Sequence, residues 1–497
     1  MNDAASPRAA LRWQADYQAE SDAEGLRLLK PGRNCWRVCR ASRVGLMIDS
    51  ASYFRTLRAA LLKAETSVLI TGWDFDPNIR LDPIDHPEES LGALLAAITA
   101  ARPELRVRIL IWGFSTFYGA NHQAAISFGE PWHAPLPRVD FAFDDAHPIG
   151  SSHHEKIVCI DDSLAFVGGI DLTAERWDTS AHDLMDPHRL EYDGTPYLPV
   201  HDLQMAVDGD AARAVGLLMR TRWQAATSER IEAASWDSDP WPQELAPLVR
   251  DTRVAIARTR AAYGEDAGTR EIEALNIDAL RAARQTIYLE TQYLTAQSVG
   301  DVLAARLEEP DGPEVVVVVT KESDGLVEQF AMGSNRERLF RRLKGADRHG
   351  RFRAYYPVVP SPDGGDNPVG IHSKLVIVDD WFVRVGSSNL NNRSMGVDSE
   401  CDLAVEATDD AGRAAIAALR NRLLAEHAGV GIDELARAIG ERGSVLAAIE
   451  SLEAGQRRLC PCDIDVDAGD DEPIPGTSIL DPIEPINFAY LRQVLSF

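Results

Sequence analysis

His154-Glu-Lys-Ile-Val-Cys-Ile-Asp161 and His372-Ser-Lys-Leu-Val-Ile-Val-Asp379 are the two stretches on which the reading of this chain turns. Both spell His-x-Lys-x-x-x-x-Asp, and a shift of 218 residues lays the first upon the second. The same shift carries Val167-Gly168 onto Val385-Gly386 and Asp171-Leu172 onto Asn389-Leu390, so the match outlasts the polar triplets. One such pattern would arise by chance in roughly one chain in a hundred, and two in register inside a longer repeat are far more specific. The chain reads as two copies of one design.

Each motif predicts a strand. Lys156–Ile160 and Lys374–Val378 are β-branched runs, each followed by Asp-Asp and a second apolar run, Leu164–Val167 or Trp381–Val385, which predicts a hairpin. Residues i and i+2 of a strand share a face, so His154 with Lys156, and His372 with Lys374, set an imidazole beside an ammonium. Working upstream, Ser67–Trp73 and Thr286–Gln292 are matching apolar strands, followed by Val107–Trp112 and Glu314–Thr320. Helical periodicity appears between them at Ala51–Lys63, Leu91–Ala101, Ile272–Arg284 and Leu326–Leu343. Alternating strands and helices predict α/β layers.

The expected organisation is an N-terminal segment (1–44), a first half (45–235), a linker (236–251), a second half (252–430) and a C-terminal region (431–497). Turn formers in Ser235–Pro242 mark the linker, and a strand at Arg253–Ala257 is expected to open the second half. Short helices and an acidic, Pro-rich tail (Asp463–Pro485) close the chain; the tail is expected to wrap the surface and carries no assigned chemistry.

Composition narrows the function. With 497 residues and 45% apolar content the chain buries a substantial core. A net charge of −26 opposes attraction to nucleic acid. The six cysteines fit neither a disulfide framework nor a usual zinc spacing. No apolar run is long enough to span a bilayer, and Met1–Trp13 lacks the pattern of a signal peptide, so the expected address is the cytoplasm, with peripheral contact at a membrane. Only six of the 51 basic residues are lysine, and two of these are Lys156 and Lys374. A compact ammonium is wanted at those positions, where a planar guanidinium would not serve.

A phosphodiester repels nucleophiles by its charge and leaves a poor alkoxide, so its cleavage needs cations and protons. Two ammoniums can hold the non-bridging oxygens, one neutral imidazole can attack, and one imidazolium can protonate the leaving oxygen. One His-Lys pair is half a site, and the duplication supplies the other half. At this point the chain resembles the phospholipase D superfamily. The paired motifs, with Gly168-Gly169 after the first and Gly386-Ser-Ser-Asn389 after the second, look like its signatures. Ser152–Lys156, Arg176-Trp177-Asp178, His201-Asp202, Arg222-Trp223, Asn389–Ser394 and Ser399-Glu400 look like its supporting pieces, and those of the first half are closest to the lipid-cleaving branch.

The resemblance covers residues 45 to 425. It implies two similar α/β/α sandwich halves about a pseudo-two-fold, a single site at their interface, and a covalent phosphohistidine formed without metal or other cofactor. His154 would be the nucleophile and His372 the general acid; Lys156, Lys374 and Asn389 would hold phosphate oxygens. A carboxylate orients each histidine in this family, which implies Glu400 for His372 and Asp202 for His154. Asp161 and Asp379 are read as supports of the hairpins. Since Asp171 stands where the second half has Asn389, and an ionised acid cannot donate to phosphate, the first half is expected to hold phosphate less.

The implied activity is a phospholipase D acting as a monomer on phospholipid at a membrane surface, releasing the headgroup or passing the phosphatidyl group to an alcohol. The alternatives are a cardiolipin-synthase-like transferase, which the absence of apolar spans counts against, a nuclease, which the charge disfavours, and a binding module that has lost catalysis. Three further features have bland readings: His153 as a packed histidine, the basic run Arg336–Arg353 as a solvated helix face, and the loop aromatics Phe117, Tyr118, Trp132, Tyr192 and Tyr197 as buried.

Overall fold

The computed structural model describes residues 27–113, 137–234, 238–264, 266–321, 332–362, 364–453, 455, 457–466 and 477–485. Phe117, Tyr118 and Trp132 lie outside the described residues, as does the start of the helix expected at 326–343. The first half contributes β1 (Arg37–Ile48), β2 (Ser67–Gly72), β3 (Arg106–Trp112), β4 (Val139–Asp144), β5 (Ile157–Ile160), β6 (Leu164–Gly168), β7 (Val200–His201) and β8 (Leu203–Asp208). The second contributes β9 (Pro247–Arg260), β10 (Thr269–Arg270), β11 (Thr286–Thr291), β12 (Glu314–Val319), β13 (Phe352–Pro360), β14 (Asp366–Pro368), β15 (Gly370–Ile371), β16 (Leu375–Val378), β17 (Phe382–Gly386) and β18 (Glu400–Glu406).

Pairing gives the two halves one topology. The first sheet runs β4-β3-β2-β5-β6-β8-β1, with β2, β3 and β4 parallel and the rest antiparallel. The second runs β13-β12-β11-β16-β17-β18-β9 with the same senses. The parallel strands read as unbroken apolar runs, Val-Val-Val-Val-Val over 315–319 being the clearest, because both their faces are covered. The helices Ser50–Leu61 and Leu91–Ala101 cover the outer face of the first sheet, burying Phe54, Leu57 and Leu95 against Val68, Ile70 and Ile109. Glu271–Ala282, Gln297–Glu308 and Ser334–Ala346 do the same for the second. The inner faces share one core, in which Val167, Met205 and Val207 join Val383, Val385, Leu403 and Val405, flanked by the helices Gly209–Thr227 and Asp410–Ala428. The α/β/α class is the observed one.

β1 and β9, the equivalent first strands, pair antiparallel and join the sheets, with a bulge at Val44/Gly45. They begin at 37 and 247, ahead of the boundaries expected at 45 and 252. Their early residues are charged, as at the facing pair Arg40 and Arg253, and lack the alternation that marks a half-buried strand. It is pairing across the joint that extends them.

The C-terminal region does more than lie on the surface. β19 (Arg458–Pro461) adds antiparallel to β13. Farther along, Asp481 is 3% exposed and accepts from the Thr295 hydroxyl at 2.6 Å, Asn392 Nδ2 at 3.0 Å and the Arg393 N–H at 3.0 Å.

Candidate active site

The motif aspartates build the hairpins. Asp161, Asp162 and Asp379 sit at φ of 53°, 51° and 52°, left-handed conformations that Asp tolerates and a tight β-turn requires. The Asp161 carboxylate accepts the N–H groups of Glu65, Thr66 and Ser67, each at 2.8 Å. Asp379 accepts those of Arg284, Gln285 and Thr286 at 3.0, 2.7 and 2.8 Å. These amides lead into β2 and β11, so each aspartate locks its hairpin to the central strand and is fully engaged there.

Each motif histidine lies just ahead of its strand, on a segment that pairs with the other half. The His154 N–H donates to Ser399 O at 3.0 Å and the Ser399 N–H to Ser152 O at 2.9 Å. Likewise β15 pairs parallel with β7, and the His372 N–H donates to His201 O at 2.9 Å. Every histidine is thereby set beside the carboxylate of the opposite half: His154 Nδ1 lies 3.0 Å from both Glu400 oxygens, and His372 Nδ1 lies 2.6 Å from Asp202 Oδ2. This corrects the expected assignment of Glu400 to His372 and Asp202 to His154. Spacing along one half cannot reveal a partner delivered by strand pairing across the joint.

A carboxylate on Nδ1 fixes the ring and leaves Nε2 for chemistry. The rings keep 17% and 18% exposure while Lys156, Glu400 and Asp202 keep 2%, 0% and 4%, so the imidazoles retain access to solvent and their supports do not. Burial and the charges of Lys156 and Lys374 hold His154 well below the ordinary imidazole range; burial, Lys374 and Arg176 do the same for His372. Burial raises Glu400 well above the usual carboxylate range and Asp202 to about 7. Each ring titrates together with its carboxylate, so one proton is shared by the pair.

The two lysines differ. Lys156 Nζ is 3.1 Å from Asp171 and donates to His154 O at 3.0 Å. Lys374 donates to His372 O but forms no ion pair within 4 Å among the described residues. Burial, opposed by Asp202 and reinforced by the charge of Lys156, brings its pKa down to about 7. Asn389, where the first half has Asp171, is 4% exposed and its Oδ1 makes no hydrogen bond. Asn389 carries amide N–H donors that an ionised Asp171 lacks, and these, with an ammonium free of any ion pair among the described residues, suit a bound anion.

Sequence reading missed several supports. The Ser387 hydroxyl donates to Glu400, and the Leu203 N–H donates to Asp202 Oδ1 at 2.7 Å. Arg393 pairs with Asp398 at 2.6 Å while the Ser152 N–H donates to Asp398 at 2.8 Å, clamping the segment that leads to His154. Arg393 lies within the quoted Asn389–Ser394 stretch, and that was its only signal. His153 is packed, with Nδ1 2.7 Å from Asp144 and Nε2 2.8 Å from the Thr71 hydroxyl. In the basic run, Arg336 donates to the Thr320 and Lys321 carbonyls, Arg342 pairs with Asp301 and Arg353 with Glu450. Of the loop aromatics, Tyr197 donates to Trp177 O at 2.8 Å, whereas Tyr192 is 62% exposed.

Comparison with known proteins bears on the family. Residues 276–420 match the family model described as cardiolipin synthase, PLD-like domain. Phospholipase D A of Dictyostelium discoideum is 25% identical over 74% of this chain and 33% of its own length. Phospholipase D alpha 1 of Vigna unguiculata is 23% identical over 70% of this chain and 59% of its own. The chain belongs to the phospholipase D superfamily. It spans a third of the Dictyostelium member of that superfamily and just under three fifths of the Vigna one. The phosphatidylserine synthase of Haemophilus influenzae Rd KW20 shares the fold, with a TM-score of 0.54 at 13% identity, over 86% of this chain and 98% of that one. The matches support a phosphodiesterase-type enzyme at family level.

Proposed function

We propose that the chain is a phospholipase D that hydrolyses glycerophospholipids, phosphatidylcholine or a similar lipid, to phosphatidic acid and the free headgroup. The observation that carries this is the crossed arrangement of His154–Glu400 and His372–Asp202 around two buried ammoniums. His154 Nε2 attacks phosphorus as the bond to the headgroup oxygen breaks, and His372 gives that oxygen its proton. Water then enters, His372 takes its proton, and the new P–O bond releases phosphatidate from His154. Lys156, Lys374 and Asn389 hold the non-bridging oxygens throughout, and the charge of the bound phosphate favours the protonated form of His372. A primary alcohol in place of water yields a phosphatidyl alcohol.

The substrate is met at a membrane surface. No described helix is long and apolar enough to cross a membrane. The net charge of −26 disfavours nucleic acid as partner. Incubation with phosphatidylcholine and a primary alcohol should give phosphatidic acid and phosphatidyl alcohol, and absence of both across several headgroups would refute the proposal. A second reading, transfer to the hydroxyl of another lipid, is favoured by the description of the model matching 276–420. Under it, products with two joined lipids would dominate over phosphatidate when a glycerol-bearing lipid is supplied.

A further inference from the structure

A second cluster of histidines and carboxylates lies apart from the reacting atoms. Asp49, His182, His201 and Glu426 each direct one ligand-type atom to a common point, all four atoms lying within 4.8 Å of one another. His182 Nε2 is 3.8 Å from Asp49 Oδ1 and 3.4 Å from Glu426 Oε1; His201 Nδ1 is 2.9 and 3.1 Å from the same two oxygens. A regular tetrahedron with centre-to-vertex distances of about 2.0–2.1 Å has edges of about 3.3 Å, in the middle of this range. All four atoms are buried and have no hydrogen-bond partner outside the group, although Arg457 Nη2 lies 3.8 Å from Glu426 Oε1. Four buried polar atoms that face one another, with no hydrogen bond to anything else, are rare.

The outer contacts are those a metal-binding histidine needs. His182 Nδ1 is 2.9 Å from Asp178 Oδ2, and His201 Nε2 is 3.1 Å from Glu290 Oε2, so a carboxylate backs the far nitrogen of each ring. The Ser180 hydroxyl donates to Asp49 Oδ2 at 2.6 Å, leaving Oδ1 to face the centre. Asp49 and His182 are held at positive φ, 63° and 48°, which is uncommon for residues other than glycine. The neighbouring group of His201, Glu290 and His427 differs, because both Glu290 oxygens are already bonded to Tyr288, His427, His201 and Ser373.

We propose that Asp49, His182, His201 and Glu426 bind a divalent transition metal, zinc being the best fit, as a structural site that staples the halves together. Two imidazoles and two carboxylates suit zinc rather than magnesium or calcium, which prefer six or more oxygens. Two carboxylates neutralise the dication, so neutral imidazoles complete an uncharged buried unit. Four protein ligands leave no open position, which separates the site from a catalytic one. Asp49 follows β1, His182 lies in the long loop of the first half, His201 ends β7, and Glu426 comes from the second half on the helix Asp410–Ala428.

Metal analysis of the purified full chain, dialysed against metal-free buffer, tests this. About one equivalent of zinc should remain per chain. Stripping with a strong chelator should lower Tm by about 5 °C or more, and zinc but not magnesium should restore it. Cobalt loaded into the stripped protein should give the visible absorption of a tetrahedral site. His182→Gln and Glu426→Gln should lose the zinc, whereas His372→Ala should keep it. Should those variants fail to fold, the native stoichiometry and the cobalt spectrum still decide. A native chain that holds no zinc when supplied with it, and whose Tm ignores chelator, would show the cluster to be buried ion pairs only.

Discussion

Glu400, carried by the second half, holds Nδ1 of His154 in the first at 3.0 Å, and Asp202 returns the arrangement by holding His372 at 2.6 Å. If His154 attacks and His372 protonates the leaving oxygen, the two carboxylates serve different steps. Glu400→Gln and Asp202→Asn should each lower kcat/KM on a choline or ethanolamine lipid by about 10²–10⁴ fold. With a p-nitrophenyl leaving group, which needs no proton, the Asp202→Asn loss should shrink by at least tenfold and the Glu400→Gln loss should not. The reverse pattern would exchange the roles of the histidines.

Activity should also report Lys374. Below about 7 its ammonium is charged and can hold phosphate; as pH rises through about 7 in the free enzyme the proton leaves, and kcat/KM should fall. The acid limb should lie below the ordinary imidazole range, because burial and the two ammoniums keep His154 neutral and nucleophilic there. Profiles of kcat/KM against pH for the native enzyme and Lys374→Arg check this. The variant should be weak, since a guanidinium is planar and larger, yet its alkaline limb should move upward.

Gly169 faces Asp202 so closely that a β-carbon would lie 2.2 Å from Oδ1. Gly169→Ala must therefore push the carboxylate off His372. Its kcat should fall by about tenfold or more, with the same sparing of p-nitrophenyl substrate expected for Asp202→Asn, while Tm changes little. Loss that ignores the leaving group would mean a general packing defect.

Asp379 predicts a stability effect. Asparagine there presents an amide group to three backbone N–H donors and to Trp381 Nε1, 3.1 Å from Oδ2. Asp379→Asn should cost about 2–3 kcal/mol, read as a lower midpoint in urea. Its kcat per folded molecule should fall far less than that of His372→Ala.

Repetition is what made so much of this legible in one sequence. Strand and helix spans around both motifs could be read because buried parallel strands such as Glu314–Val319 are apolar throughout. The His-Lys pairs announced themselves by type and spacing. Hidden from sequence was whatever depends on contact between the halves: the exchange of Asp202 and Glu400, the early starts of β1 and β9, and the convergence of Asp49, His182, His201 and Glu426 from four distant segments. Asp481 was likewise invisible, since nothing in an acidic tail marks the one carboxylate that is buried against Asn392 and Arg393.

The antiparallel pairing of β1 with β9 bears on ancestry. Equivalent strands meeting about a two-fold are what two copies of a half-length chain would use to dimerise. A carboxylate lent across that joint means a lone half lacks an oriented histidine, so assembly had to precede catalysis. Fusion into one polypeptide then let the copies diverge, and the aspartate at 171 opposite the asparagine at 389 is a mark of that freedom.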